Sequence, residues 1–271
     1  MNTQKNFEAY LRENNLSENT IRAYLWVYNY YSSHYSDLSP ANLLSFKEYL
    51  IIRYKPQTVN QRIQAINKYL EFTGHGHFKI HTVKIHQKNF LENVISMADY
   101  KYFKQRLRKD GLMEWYFVIW YLAATGARIS ELIQIKTDNV IDGFIDMYTK
   151  GGKLRRIYIP KRLQKETLLW LENNNRLKQS DFLFINHLGE PITTRGISNR
   201  LKVFAKKYGI NPKVVYPHSF RHMFAKNFLN KYNDIALLAD LMGHESIETT
   251  RIYLRRTSTE QQDLVNKVVT W

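Results

Sequence analysis

Trp115-Tyr-Phe-Val-Ile-Trp-Tyr-Leu-Ala-Ala124-Thr-Gly126-Ala-Arg128-Ile-Ser-Glu131-Leu132 is the stretch that decides the fold class. Its apolar run from Trp115 to Ala124 is about half the ~20 residues a membrane-spanning helix needs, so it reads as a helix buried in a protein core. Gly126 stops that helix and a second one starts at once. Arg128 stands near the new start, where free backbone amides and the positive helix end already favour an anion. Glu131, three residues on, is placed to orient that arginine.

Around this stretch, helices are expected at 96–109, 113–124 and 130–135. A hairpin follows, from about Val140 to Met147 and from Arg155 to Ile159, turning through Lys150-Gly151-Gly152-Lys153. An amphipathic helix near 162–174, a short apolar segment Phe182-Leu-Phe-Ile185 and a helical remainder complete a domain at 96–271. Toward the N-terminus, residues 1–75 read as four helices with short turns. The first carries the stripe Phe7, Tyr10 and Leu11. Ser17 caps the second, which runs to about Tyr31, and Ser39-Pro40 opens the third. Thr58 caps the fourth, with Val59, Ile63, Ile66 and Leu70 at helical spacing before Gly74. Tyr24, Tyr28 and Tyr31 read as packing rather than as a base-stacking strip. Residues 76–95 read as a linker; the neighbourhood holds His75, His77, His81 and His86 without the regular spacing of a metal site. The fold class is therefore mainly α, a four-helix domain followed by a mostly helical domain with a small antiparallel β-sheet.

Composition narrows the function. The 271 residues include 40 Lys+Arg against 24 Asp+Glu, a formal charge of +16. Hydrophobic content of 44% and charged content of 24% are near ordinary globular values, against global disorder and against a membrane protein. With no cysteine, a disulfide scaffold, a cysteine-ligated zinc and thiol catalysis are excluded. The first residues, Met1 to Phe7, contain no apolar signal segment, and a soluble cytoplasmic protein is expected. The positive surplus favours a polyanion, above all nucleic acid. Both halves share it: residues 1–90 hold 11 basic and 6 acidic side chains.

A nucleophile elbow, a phosphate-binding glycine loop, a dinucleotide fingerprint and a His-Glu-x-x-His helix are all missing. Two further clusters stand out instead. In Pro217-His218-Ser-Phe-Arg221-His222, His218 and Arg221 share one helix face if Pro217 opens the helix, although alone such a pair is more often a solvated surface. In Gly243-His244-Glu-Ser-Ile-Glu-Thr-Thr-Arg-Ile-Tyr253, one continuous helix would put His244 and Tyr253 on opposite faces. Gly243 ending one helix and Ser246 capping the next let both face one pocket. Two arginines can clamp the oxygens of a phosphodiester. A tyrosine hydroxyl, with a reference pKa of about 10, serves as nucleophile when a base such as histidine stands beside it. A lysine at the hairpin tip, Lys150 or Lys153, can protonate the leaving alkoxide.

Taken with Thr125-Gly-Ala-Arg128-Ile-Ser-Glu131-Leu132, these boxes resemble those of the tyrosine recombinases, the integrase and Xer-like site-specific DNA recombinases. The resemblance covers essentially the whole chain, and the order and spacing of the boxes are highly specific. It implies a core-binding (SAM-like) four-helix domain at 1–75, a linker at 76–95 and a catalytic domain at 96–271, without the extra arm-site module of many phage integrases. It implies Tyr253 as the nucleophile giving a 3′-phosphotyrosyl link, and Arg128 and Arg221 as holders of the phosphate. His218 would be the general acid/base, His244 a hydrogen-bonding partner of the phosphate, Lys150 the proton donor to the leaving oxygen, and Glu131 their support. No metal, ATP or other cofactor is implied. The partners implied are double-stranded DNA with a specific recombination site and further copies of the chain, two on one site and four in a synapse that passes through a Holliday junction. Accessory proteins are left open, and no membrane is involved.

The segment Lys150-Gly-Gly-Lys-Leu-Arg-Arg-Ile-Tyr-Ile-Pro160 is a residue longer than the commonest family hairpin, which keeps Lys153 as a rival to Lys150. In the tail, Ser258 and Gln261 form a capping box, and Leu264, Val268 and Trp271 an apolar stripe. The resemblance makes this last helix, about 258–271, one that is exchanged between protomers; the alternative is packing on its own domain. Two other functions remain open at this point, a type IB topoisomerase-like nicking and closing activity and a DNA-binding protein without catalysis.

Overall fold

The computed structural model describes residues 2–85, 93–148, 154–174, 180–244, 246–254 and 258–269. The chain divides into two compact units, residues 1–87 and 88–271.

The first unit holds α1 (Asn2–Glu13), α2 (Glu18–His34), α3 (Pro40–Arg53) and α4 (Pro56–Phe72). Ser17 and Ser39 cap α2 and α3 through their side chains, accepting from the amides of Thr20 and Asn42. The fourth helix begins earlier than the expected cap at Thr58. Pro56 takes its first position, because a proline has the helical φ built in and no amide that needs a partner there. Leu43, Phe46, Leu50, Val59, Ile63, Ile66 and Leu70 form the main core with Val27 and Tyr31. The tyrosines of α2 pack: the Tyr31 hydroxyl donates to the carbonyl of Asp37 at 2.9 Å, and Tyr28 stands edge-on to Tyr69.

The stretch expected as a linker is, as far as residue 85, part of this unit. Asn67 brackets Ile80, accepting from its amide at 3.0 Å and donating to its carbonyl at 2.9 Å. Asn60 does the same for Val83, at 2.8 and 2.9 Å. Two side-chain amides seven residues apart, on one face of α4, thus replace a strand partner for an extended backbone. Phe78, Ile80 and Val83 pack on the core behind them. His86 lies outside the described residues.

The second unit opens with α5 (Met97–Lys109), capped by Ser96, and α6 (Met113–Thr125). Every residue of α6 from Tyr116 to Leu122 is buried, as a helix apolar on all sides requires. Then follow α7 (Ile129–Leu132), shorter than the expected 130–135, and α8 (Thr137–Asp142). The sheet has β1 (Phe144–Tyr148) and β2 (Leu154–Tyr158), antiparallel with Phe144 opposite Tyr158 and Tyr148 opposite Leu154. The first strand thus starts four residues later than expected. The Asn139 side chain accepts from the amide of Lys136 at 2.9 Å and holds 137–142 in a helix. The segment Phe182–Ile185 forms only isolated bridges, Lys136 with Phe182 and Ile185 with Pro191.

The remainder is α9 (Lys161–Glu172), α10 (Thr194–Lys207), α11 (Pro217–Tyr232), α12 (Ile235–Met242), α13 (Ile247–Arg251), a tight turn at Ile252–Leu254 and α14 (Ser258–Val268). The buried helix α6 packs against α5, α9 and α11, while α12 packs against β2. Along α14, Val265 and Val268 are exposed, as is Val269 beyond its end. The side chains of Ser258 and Leu264, and Trp271, lie outside the described residues, as do Lys150 and Lys153, which fall between β1 and β2 in sequence. Among the described residues no helix is long and apolar enough to cross a membrane.

Candidate active site

Gly126 ends α6 at φ +64°, where a Cβ would stand 2.6 Å from the ring of Phe224. The chain turns there so that Arg128 immediately precedes α7. Its amide donates to Glu131 Oε2 at 2.6 Å and its Nη1 to Oε1 at 2.8 Å, so one carboxylate both caps the helix and holds the guanidinium. The other end of the fork, Nη2, donates to the carbonyl of Gly243 at 3.0 Å.

Pro217 does open α11, and places His218 one turn before Arg221. Arg221 is buried, with Nη1 donating to the carbonyl of Gly126 at 2.5 Å and Nη2 to that of Met242 at 2.7 Å. Its Nη2 also meets His244 Nε2 at 3.0 Å. A guanidinium only donates, so Nε2 accepts, and the ring proton sits on Nδ1, which donates to Thr250 Oγ1 at 2.7 Å. Gly243, at φ +59°, ends α12, and the Ser246 side chain caps α13. That break brings Tyr253 round to stack on His244, ring centroids 6.0 Å apart. His222 approaches Tyr253 from α11 at 5.2 Å, with a buried Nδ1 that has no hydrogen-bond partner among the described residues.

The field here is positive. Burial alone would raise the Glu131 carboxyl, but the charge of Arg155 and the hydrogen bonds from Arg128 and Arg155 hold it below its ordinary value. Burial, with Arg128 and Arg155 nearby, lowers Arg221 to about 10, still charged at neutral pH. Burial and the arginines lower His244 to about 4; burial, His218 and Arg221 lower His222 to about 4. Burial and then Arg221 and Arg128 lower His218 as well. Three guanidiniums around one carboxylate, with neutral histidines, leave a net positive pocket suited to a phosphate. A cavity of about 860 Å³ opens beside Arg128, Glu131, Gly243 and His244. His218 lines another, of about 670 Å³, with Lys202, Lys213 and Tyr216. Among the described residues no group of three His, Asp or Glu side chains is placed to hold a metal ion.

The structure thus brings Arg128, Glu131, Arg221, His244 and Tyr253 together, with His218 one helical turn away. Arg155 belongs to the same cluster and escaped the sequence reading. It is buried on β2, with Nη1 at 2.5 Å from both oxygens of Glu131. A signal was present: Arg155, Ile157 and Ile159 alternate, which puts an arginine on the buried face of a strand, where it needs a carboxylate.

Residues 93–260 match the phage integrase family. Tyrosine recombinase XerA of Pyrococcus furiosus is 29% identical over 270 residues, covering 96% of this chain and 92% of that protein. Tyrosine recombinase XerD of Listeria monocytogenes is 29% identical over 282 residues, covering 93% of each. Among solved structures, the Tn1549 transposon integrase in complex with transposon right end DNA aligns over 100% of both chains, with a TM-score of 0.74 at 16% identity. The XerH recombinase bound to its difH substrate aligns over 90% of this chain and 78% of that one, with a TM-score of 0.66 at 20% identity. At these identities the structural likeness establishes a shared fold.

Proposed function

The chain belongs to the phage integrase family, and from that premise we propose that it is a tyrosine-type site-specific recombinase that cuts and rejoins DNA through a 3′-phosphotyrosyl link to Tyr253. Its substrate is double-stranded DNA with a specific recombination site, in the cytoplasm. The observation that carries this reading is the convergence of Arg128, Arg221, His244 and Tyr253 on one net positive pocket.

The Tyr253 hydroxyl attacks the scissile phosphorus, the bond to the 5′ oxygen breaks, and that oxygen takes a proton from Lys150, with Lys153 as the rival donor. Arg128 and Arg221 hold the non-bridging oxygens as negative charge builds on them. His218, kept neutral by burial, is free to take up the tyrosine proton. His244 needs a proton on Nε2 to donate to the phosphate. When the phosphate draws Arg221 Nη2 onto its own oxygen, Nε2 is released, and the Thr250 hydroxyl can turn to donate to Nδ1. Glu131 keeps Arg128 in place throughout.

The phosphotyrosyl ester retains the bond energy, so a 5′-hydroxyl from a partner strand reverses the step without ATP. The guanidiniums meet the charge that a metal would otherwise meet. Two such rounds among four protomers pass through a Holliday junction. The last helix, about 258–271, docks on a neighbouring protomer, which the exposed Val265, Val268 and Val269 support.

Incubation with a nicked suicide site tests the reading. A covalent protein–DNA complex should form, and Tyr253→Phe should abolish it while DNA binding persists. A complex that survives the substitution would refute the assignment of the nucleophile. Exchange between paired sites, rather than nicking and closing alone, separates a recombinase from a topoisomerase.

A further inference from the structure

At the end of α12 three successive carbonyls each accept from a different arginine on a different element. Leu241 accepts from Arg155 on β2, at 3.1 Å from Nε and 2.9 Å from Nη2. Met242 accepts from Arg221 on α11, and Gly243 from Arg128 before α7. A helix C-terminus concentrates negative partial charge, which is why cations gather on it. Two of these arginines, Arg128 and Arg221, are the ones proposed to hold the phosphate. The third is not.

Arg155 uses Nε, Nη1 and Nη2 within the protein, and its side chain is only 2% exposed. Arg128, whose side chain is 34% exposed, retains donors for a ligand. The stem of Arg155 lies so close to Gly243 that a Cβ there would stand 2.3 Å from Arg155 Cδ. One side chain therefore touches the carboxylate that aims Arg128 and the turn that carries His244.

We propose that Arg155 is a positioning residue for strand cleavage: it joins Glu131 to the Leu241–Gly243 turn and so fixes the spacing between the phosphate-holding arginines and the His244–Tyr253 segment. The inference rests on the reading of Tyr253 as nucleophile. Without Arg155, Glu131 loses one of its two close partners and the carbonyl of Leu241 loses its donor. The link between Arg128 and the turn then rests on the hydrogen bond from Arg128 Nη2 to the Gly243 carbonyl, which holds their spacing less tightly. Displacements of about 1 Å in a catalytic group cost on the order of a hundredfold in rate. Lysine keeps the charge, but its compact head cannot fork to Glu131 and Leu241 at once.

The test measures single-turnover formation of the covalent complex on a suicide site for the full chain, Arg155→Met and Arg155→Lys. DNA affinity and thermal unfolding are measured on the same samples. Cleavage per bound, folded protein should fall about a hundredfold in Arg155→Met and less in Arg155→Lys, with affinity retained. A second substrate carries a methylphosphonate at the scissile position, which removes the charge the arginines hold. On it the deficit of Arg155→Met relative to wild type should shrink. Wild-type cleavage in a folded Arg155→Met, or an undiminished deficit on the neutral substrate, overturns the inference. So does loss of folding in both variants, which would make Arg155 a structural brace only. If the wild type itself forms no Tyr253-dependent complex, the recombinase reading falls first and this inference with it.

Discussion

The ring of Tyr253 lies nearly parallel to that of His244, with planes 12° apart and centroids separated by 6.0 Å. Nine residues along one helix would have turned them away from each other. The extended Ser246 that caps α13 breaks that path, just after the chain has left α12 at the left-handed Gly243. Alanine there costs about 1 kcal/mol for the backbone alone, and its Cβ meets the stem of Arg155. Gly243→Ala should therefore lower the melting temperature clearly, since buried Arg155 has to shift, and reduce covalent complex formation far more. Equal losses in both measurements would count against a role for this turn in catalysis.

Glu131→Gln should destabilise the protein by about 3–5 kcal/mol, since buried Arg155 is left with an uncompensated charge. The Glu131 carboxyl is held below its ordinary value of 4.5, so its contribution is full above that pH and is lost as pH falls below it. The gap in melting temperature between wild type and Glu131→Gln should be constant at neutral pH and close below about 4.5. A gap that widens on acidification would contradict the ion pairs.

His222 and His244 titrate near 4 in the folded protein and near 6.5 in the unfolded chain. Between those values the unfolded state binds more protons, so stability must fall as pH drops from about 6.5 toward 4. His222→Asn removes one of these groups and should flatten the fall. Parallel curves for wild type and variant in thermal melts between pH 7 and 5 would show that His222 is protonated without cost.

Val268, 65% exposed on α14, should tolerate aspartate with a change in monomer stability within about 0.5 kcal/mol. If this helix docks on a second copy, Val268→Asp should weaken assembly of paired sites while cleavage of a single suicide site persists. Unchanged assembly in native gels would place the helix on its own domain.

A charge of +16 predicts DNA affinity that falls with salt. Six to ten phosphate contacts would weaken binding by roughly 10³–10⁵ between 50 and 200 mM salt. A flat dependence in filter binding would mean that the surplus charge does not track the backbone.

Much of this molecule was legible without coordinates because its signals are local. The caps at Ser17 and Ser39, the proline that opens α11 and the break at Gly243 all act within one helical turn of where they stand. The order of the arginine, histidine and tyrosine boxes carried the family. Local reading erred where two local signals competed. Pro56 prevailed over Thr58 as the start of α4, and the Asn139 side chain held in a helix a segment that read as strand.

The sequence by itself determined the helical class, the family and the residues proposed for the phosphoryl transfer. Only the tertiary structure decided that residues 78–83 pack on α4, because Asn67 and Asn60 act across 13 and 23 positions. It alone supplied the partners of Arg155, Glu131 and Leu241, which lie 24 and 86 positions away. A buried guanidinium needs acceptors on several sides, and no single stretch of chain supplies them. They exist only once β2, α7 and α12 have been brought together by packing.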